Sequence, residues 1–127
     1  MTAPRVLIVD DNKDAAASLG RLLGVLGKET CVVHDGPSAL AAIPKFRPHV
    51  VFLDLGMPGM NGLETANQLR SQPGGEHAIL VALTGWGEKE DRQRTEDAGF
   101  AAHLVKPINV EQLEGTLNRL LADRLPV

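Results

Sequence analysis

Asp10 and Asp11, Asp54, Thr84 and Lys106 each follow directly on a short run rich in valine, leucine and isoleucine. Taken singly they have ordinary explanations. An aspartate in that place is usually a turn former or a helix cap, a threonine caps the next helix, and a lysine before proline is usually exposed. Taken together they describe chemistry. If the apolar runs are neighbouring strands, three carboxylates meet in one cleft, where they would repel one another unless a cation held them. Oxygen-only ligands with several retained waters fit Mg²⁺ better than calcium or zinc. Beside such an ion Asp54 has the makings of a phosphoryl acceptor. The metal would orient an incoming phosphoryl oxygen, Lys106 would add a positive charge and Thr84 a hydroxyl donor. No zinc site competes, because the histidines at 34, 49, 77 and 103 show no i, i+4 pairing and Cys31 is the only cysteine. Cys31 itself reads as a buried packing thiol.

Such a cleft needs the strands to lie side by side. The apolar runs cover 6–9, 50–53, 79–83 and 101–105, with a weaker fifth at 30–33. Between them the period changes to that of a helix. Leu19, Leu22, Leu23 and Leu26 mark one apolar face, and Val110, Leu113, Leu117, Leu120 and Leu121 another. Segments 37–43, 62–71 and 88–98 complete five strand-helix units, each after a turn signal such as Asp35-Gly36, Pro58-Gly59 or Gly85. Alternation of this kind predicts an α/β fold, a parallel sheet with helices on both faces, whose ligands bind beyond the carboxyl ends of the strands. Asp11 or Asn12 is placed to cap the first helix. Pro44 predicts that the second helix ends or kinks there, because proline cannot donate the hydrogen bond that the Leu40 carbonyl would accept.

The chain of 127 residues fits one domain, 1–127, with a core over about 4–124 and an end that frays after Arg124. Apolar residues are 43%, charged residues 23% and net charge is only -3, which argues against direct nucleic-acid binding. No apolar run approaches the about 20 residues of a membrane span, and no signal-peptide pattern opens the chain, so the expected location is cytoplasmic.

Val-Leu-Ile-Val-Asp10-Asp11-Asn, Val-Phe-Leu-Asp54-Leu-Gly-Met-Pro58-Gly-Met-Asn-Gly62, Leu83-Thr84-Gly85 and His-Leu-Val-Lys106-Pro107 closely resemble the motifs of receiver domains of two-component response regulators, in order and over nearly the whole chain. The resemblance implies a flavodoxin-like (βα)5 fold, a doubly wound five-stranded parallel sheet of order 2-1-3-4-5. It implies phosphorylation at Asp54, by a sensor histidine kinase or a histidine phosphotransfer protein, in a Mg²⁺-dependent reaction. Asp11 would then ligate the metal directly, Asp10 mainly through water, and Gly56 through its backbone carbonyl. Thr84 and Lys106 would bind phosphoryl oxygens, and the bond to Pro107 would be cis, which X-Pro bonds tolerate at small cost. Such a domain is a regulatory phosphoacceptor that assists its own phosphorylation and dephosphorylation, and is not otherwise an enzyme. It would switch, and could dimerise, through its helix 4, strand 5, helix 5 face.

Some positions depart from the commoner pattern. His103 stands three before Lys106, where many receivers carry a Tyr or Phe switch residue that moves with Thr84. Trp86 places a large side chain beside the cleft, and Asn109 replaces a common aspartate and reads as the cap of the last helix. The stretch 10–26 and His-Leu-Val-Lys-Pro resemble receivers of hybrid sensor kinases. Two other classes compete: a degenerate receiver that only docks partners, and a Mg²⁺-dependent aspartyl-phosphate hydrolase of the haloacid dehalogenase type. The hydrolase needs Asp-x-Asp after the first strand, where this chain has Asp10 followed directly by Asp11. A flavin or nucleotide module is more distant still, because Asp10-Asp11-Asn12 would repel phosphate without a metal.

Overall fold

Apolar side chains, mostly valine, leucine and isoleucine, run through the inner strands because both faces of the sheet are covered. In the computed structural model, which describes residues 3–85 and 92–122, the strands are β1 (Arg5–Val9), β2 (Glu29–Val33), β3 (Val50–Asp54), β4 (Ile79–Thr84) and β5 (Phe100–Val105). All pair in parallel, in the order β2-β1-β3-β4-β5. The helices are α1 (Lys13–Val25), α2 (Gly36–Phe46), α3 (Gly62–Leu69), α4 (Arg92–Asp97) and α5 (Val110–Ala122). This is the expected doubly wound flavodoxin-like sheet, with its strands within one residue of the apolar runs.

Side chains alternate between two cores, as the period of a strand demands. Val6, Ile8, Val50, Phe52, Val81 and Leu83 face α1 and α5, meeting Leu19, Leu23, Leu113 and Leu117. Leu7, Val9, Val51, Leu53, Leu80 and Ala82 face α2 and α3, meeting Ala39, Ile43, Ala66 and Leu69. The edge strands β2 and β5 are covered less completely, and Cys31 on β2 is half-buried against the second core instead of fully enclosed.

Helix starts are set by short polar side chains. Asn12, Asp35, Asn61 and Asn109 accept from the backbone N–H groups of Ala15, Ser38, Glu64 and Gln112 at 2.7–3.0 Å. Asn12 therefore caps α1 and leaves Asp11 free of that role, and Asn109 caps α5 as expected.

Of the two outcomes expected at Pro44, an end of the helix there needs correction. Helix α2 does not end there but continues to Phe46, with Pro44 inside it. The missing hydrogen bond falls in the last turn, which is secured from outside the helix. Arg5 Nε donates to the carbonyls of Phe46 and Arg47, both at 2.9 Å, and the Arg47 N–H donates to Ile43 O at 2.9 Å with Arg47 in the left-handed region (φ 49°). Trp86, the segment 88–91 of the predicted fourth helix and the end after Arg124 lie outside the described residues.

Arg5→Met should therefore lower stability by about 1–3 kcal/mol, through loss of a charged donor to two carbonyls. Urea unfolding and amide exchange check this; unchanged stability with unchanged exchange at residues 46 and 47 would show that α2 holds its last turn unaided.

Candidate functional site

Strand order reverses between β1, whose chain leads outward to β2, and β3, which returns to its other side, so a crevice opens beyond their carboxyl ends. Register pairs Val9 with Leu53 and Asp54 with Leu83, which brings Asp10 and Asp54 out beside each other. One ligand oxygen from each of Asp10, Asp11 and Asp54 lies within 4.8 Å of the others. Asp10 and Asp54 are buried, at 2% and 7% exposure, whereas Asp11 is exposed and its carboxylate has no partner among the described residues. Hard oxygen donors in this arrangement fit a small divalent cation.

Each buried carboxylate is tied by its own turn. Asp10 Oδ1 accepts from Asn12 N at 3.0 Å, and Asp54 Oδ1 from Gly56 N at 3.0 Å. Their other oxygens face Lys106, whose Nζ lies 2.7 Å from Asp10 Oδ2 and 3.5 Å from Asp54 Oδ2. Lys106 is aimed by its own main chain. Its N–H donates to Thr84 O at 2.8 Å, and the Lys106–Pro107 bond is cis, as the motif implies. Thr84, buried at the end of β4, completes the set that the sequence predicts at this end of the sheet.

The electrostatics follow from burial. Desolvation pushes the Asp54 carboxyl up to about 6, and neighbouring Asp10 adds to this, while the Gly56 N–H and Lys106 pull the other way. Burial alone would lower Lys106, but the hydrogen bond to Asp10 and the charges of Asp54 and Asp10 outweigh it and hold the ammonium above its ordinary range. The lysine thus acts as counterion to the two buried carboxylates.

His103 lies on β5 with partial exposure, its Nε2 in a hydrogen bond with Oγ1 of buried Thr95 on α4. It thereby links β5 to α4. Gly62 closes the Asp54 motif, but motif reading gave it no role of its own. A Cβ there would stand 2.6 Å from Asp54 O and 2.8 Å from Leu55 Cα, so glycine lets α3 begin directly against the backbone at Asp54. The signal for it was its place at the end of that motif, directly after Asn61. A mostly apolar cavity of about 380 Å³ adjoins the carboxylates, between α1 and the Pro107-Ile108 segment.

The chain matches the response regulator receiver domain over residues 6–118. The response regulator MprA of Mycobacterium avium (strain 104) is 36% identical over 122 residues, 96% of this chain and 53% of that protein. The transcriptional regulatory protein PrrA of Mycobacterium tuberculosis is 34% identical over 124 residues, 98% of this chain and 52% of that protein. The chain spans about half the length of the curated relatives it matches. Among solved structures, the Vibrio cholerae chemotaxis protein CheY4 shares 33% identity with a TM-score of 0.86, covering 93% of this chain and 98% of that one. The receiver domain of a Pseudomonas aeruginosa sensor histidine kinase, solved with magnesium coordinated in its active-site cleft, shares 26% identity with a TM-score of 0.84, covering 94% and 98%.

Because its pKa is raised, Asp54 favours folding at low pH, and that contribution is lost as pH rises from about 4 through about 6. Without divalent metal, Asp54→Asn should then be more stable than the parent at pH 7.5, by about 1–3 kcal/mol, and the gain should vanish toward pH 4. Thermal unfolding of both proteins across this range checks the sign; a gain that grows toward pH 4 would contradict it.

Proposed function

The chain belongs to the response regulator receiver family, and from that premise we propose that Asp54 is the residue it phosphorylates, with a divalent metal, Mg²⁺, held at Asp10, Asp11 and Asp54. The observation that carries this reading is the three-carboxylate cluster with a lysine at its mouth. Gly56 would add its backbone carbonyl, since its N–H already closes a turn on Asp54 at the edge of the cleft. When bound, the metal supplies a positive charge that orients a phosphoryl oxygen and offsets charge on the acceptor.

The chain's own residues do the rest. A carboxylate oxygen of Asp54 attacks phosphorus, the P–N bond of a phosphohistidine breaks, and the donor imidazole leaves with the bonding pair. The Gly56 N–H orients the carboxylate for attack. Lys106 must let go of Asp10 and turn to the transferred group, where its ammonium and the Thr84 hydroxyl bind phosphoryl oxygens. All of these side chains are present, which favours a working receiver over a phosphorylation-independent docking module.

Receivers of this family interact with histidine kinases, and a sensor histidine kinase or a histidine phosphotransfer protein is the donor proposed here. The chain forms one receiver domain, 1–127, acting in the cytoplasm where such donors expose their phosphohistidine. Among the described residues no helix is long and apolar enough to cross a membrane. The readout proposed for the domain itself is the α4-β5-α5 surface, also its face for dimerisation. The Lys106 N–H is bonded to Thr84 O, so drawing either side chain inward strains both strand ends, and the His103–Thr95 bond carries the change to α4.

Acetyl phosphate should add one phosphoryl group to the chain only with Mg²⁺; Asp54→Asn should abolish labelling, and Asp11→Ala should demand more metal. Intact mass reads both, and full labelling of either variant at ordinary Mg²⁺ would overturn the assignment. Lys106→Met should bind Mg²⁺ about threefold to tenfold more tightly, since one competing charge is gone, yet label more slowly. Beryllofluoride, a phosphoryl mimic, should shift amides across residues 92–121 in the parent and lose much of that reach in Thr84→Ala. Silence of that face in the parent, with changes confined to the Asp54 pocket, would make the domain a phosphate relay without a switch.

A further inference from the structure

The amino end of the sheet carries a second cavity of about 380 Å³, lined with basic side chains some of whose donors meet no acceptor among the described residues. It lies a full strand length from the carboxylates, since Arg5 opens β1 and Asp10 follows its end, on the order of 15 Å at the rise of a strand. Arg5 and Arg47 both line it. Arg5 spends Nε on the carbonyls of Phe46 and Arg47, but its two Nη groups, and the whole Arg47 guanidinium, meet no acceptor among the described residues. The carboxylate in the wall, Glu76, is turned to the loop, where its Oε1 accepts from Gly74 N at 2.9 Å.

Two imidazoles add to the donors. Arg5 N–H donates to His49 Nδ1 at 2.9 Å, which leaves the proton of the neutral ring on Nε2. Burial and the charge of Arg5 hold His49 below its ordinary pKa, so that ring is a neutral donor in a positive surrounding. His77 is exposed at the rim. The position of Arg47 is built in. Its backbone is left-handed, and its Cγ lies 3.0 Å from where a Cβ of Gly74 would stand, so the stem rests on a glycine that must be bare.

We infer that this cavity binds a small molecule through a dianionic phosphoryl group, held between Arg5 and Arg47 with His49 and His77 at its edge. Paired guanidinium groups suit phosphoryl oxygens by bidentate hydrogen bonding. The volume lies within the about 300–1,000 Å³ of small-molecule pockets, and Pro48, Ala78 and Ile79 give it an apolar wall for an organic part. A phosphate ester thus fits better than free phosphate.

The test is to titrate ribose 5-phosphate and inorganic phosphate, in separate arms, into the whole chain without divalent metal at constant ionic strength, following amide and imidazole resonances. Saturable shifts are expected at residues 5, 47–49 and 74–79, with the His49 ring titrating at higher pH when the probe is bound. Ribose 5-phosphate should bind more tightly; equal binding would assign the site to free phosphate. Arg47→Gln, which spares the Arg5 contacts to α2, should weaken binding about tenfold while Asp54→Asn leaves it unchanged. Non-saturating shifts, shifts centred on Lys106, or equal binding by Arg47→Gln would each overturn the inference.

Discussion

Two carboxylates side by side at the ends of buried parallel strands are the constraint on which this structure turns. Asp10 and Asp54 are brought together because β1 and β3 pair in register, and both lose most of their water. Like charges in such a place are unfavourable unless a cation answers them. Lys106 does so, and its position is set by the cis bond to Pro107, the hydrogen bond to Thr84 O and the pairing of β5 with β4.

The same tension makes the site chemically useful. A carboxyl raised to about 6 by burial is poorly served by one lysine shared with Asp10. A bound divalent ion would answer the cluster better and would leave the lysine free for an incoming anion. Both would draw on charge already in place. The path outward from the site is short, since Thr84 and Lys106 sit at the ends of the two strands that lead to α4 and α5. The His103–Thr95 hydrogen bond then joins β5 to α4 where an aromatic residue is more usual.

The amino end of the sheet has the opposite character. Arg5 secures the carbonyl end of α2 past Pro44, and in doing so it brings its guanidinium to the same rim as Arg47. One end of the sheet therefore concentrates negative charge and the other positive charge, in a chain whose net charge is only -3.

Much of this was legible in the residues alone. The strands are runs of branched apolar side chains because both sheet faces are covered, and a polar residue that breaks such a run marks the strand's carboxyl end. That is why Asp10, Asp54, Thr84 and Lys106 could be read as neighbours in a common cleft. What could not be read depends on contacts between distant parts of the chain. Pro44 obeys a local rule against helix, and it was overruled by Arg5, about 40 residues away, whose donor secures the last turn. The bond between Lys106 and Asp10, the closeness of Gly62 to the Asp54 backbone and the gathering of Arg5, Arg47 and His77 at one rim are likewise products of packing. Local sequence determines which residues end a strand or start a helix, because period and capping act within a few residues. Only the tertiary structure decides which charges face one another, because that depends on strand order and register across the whole sheet.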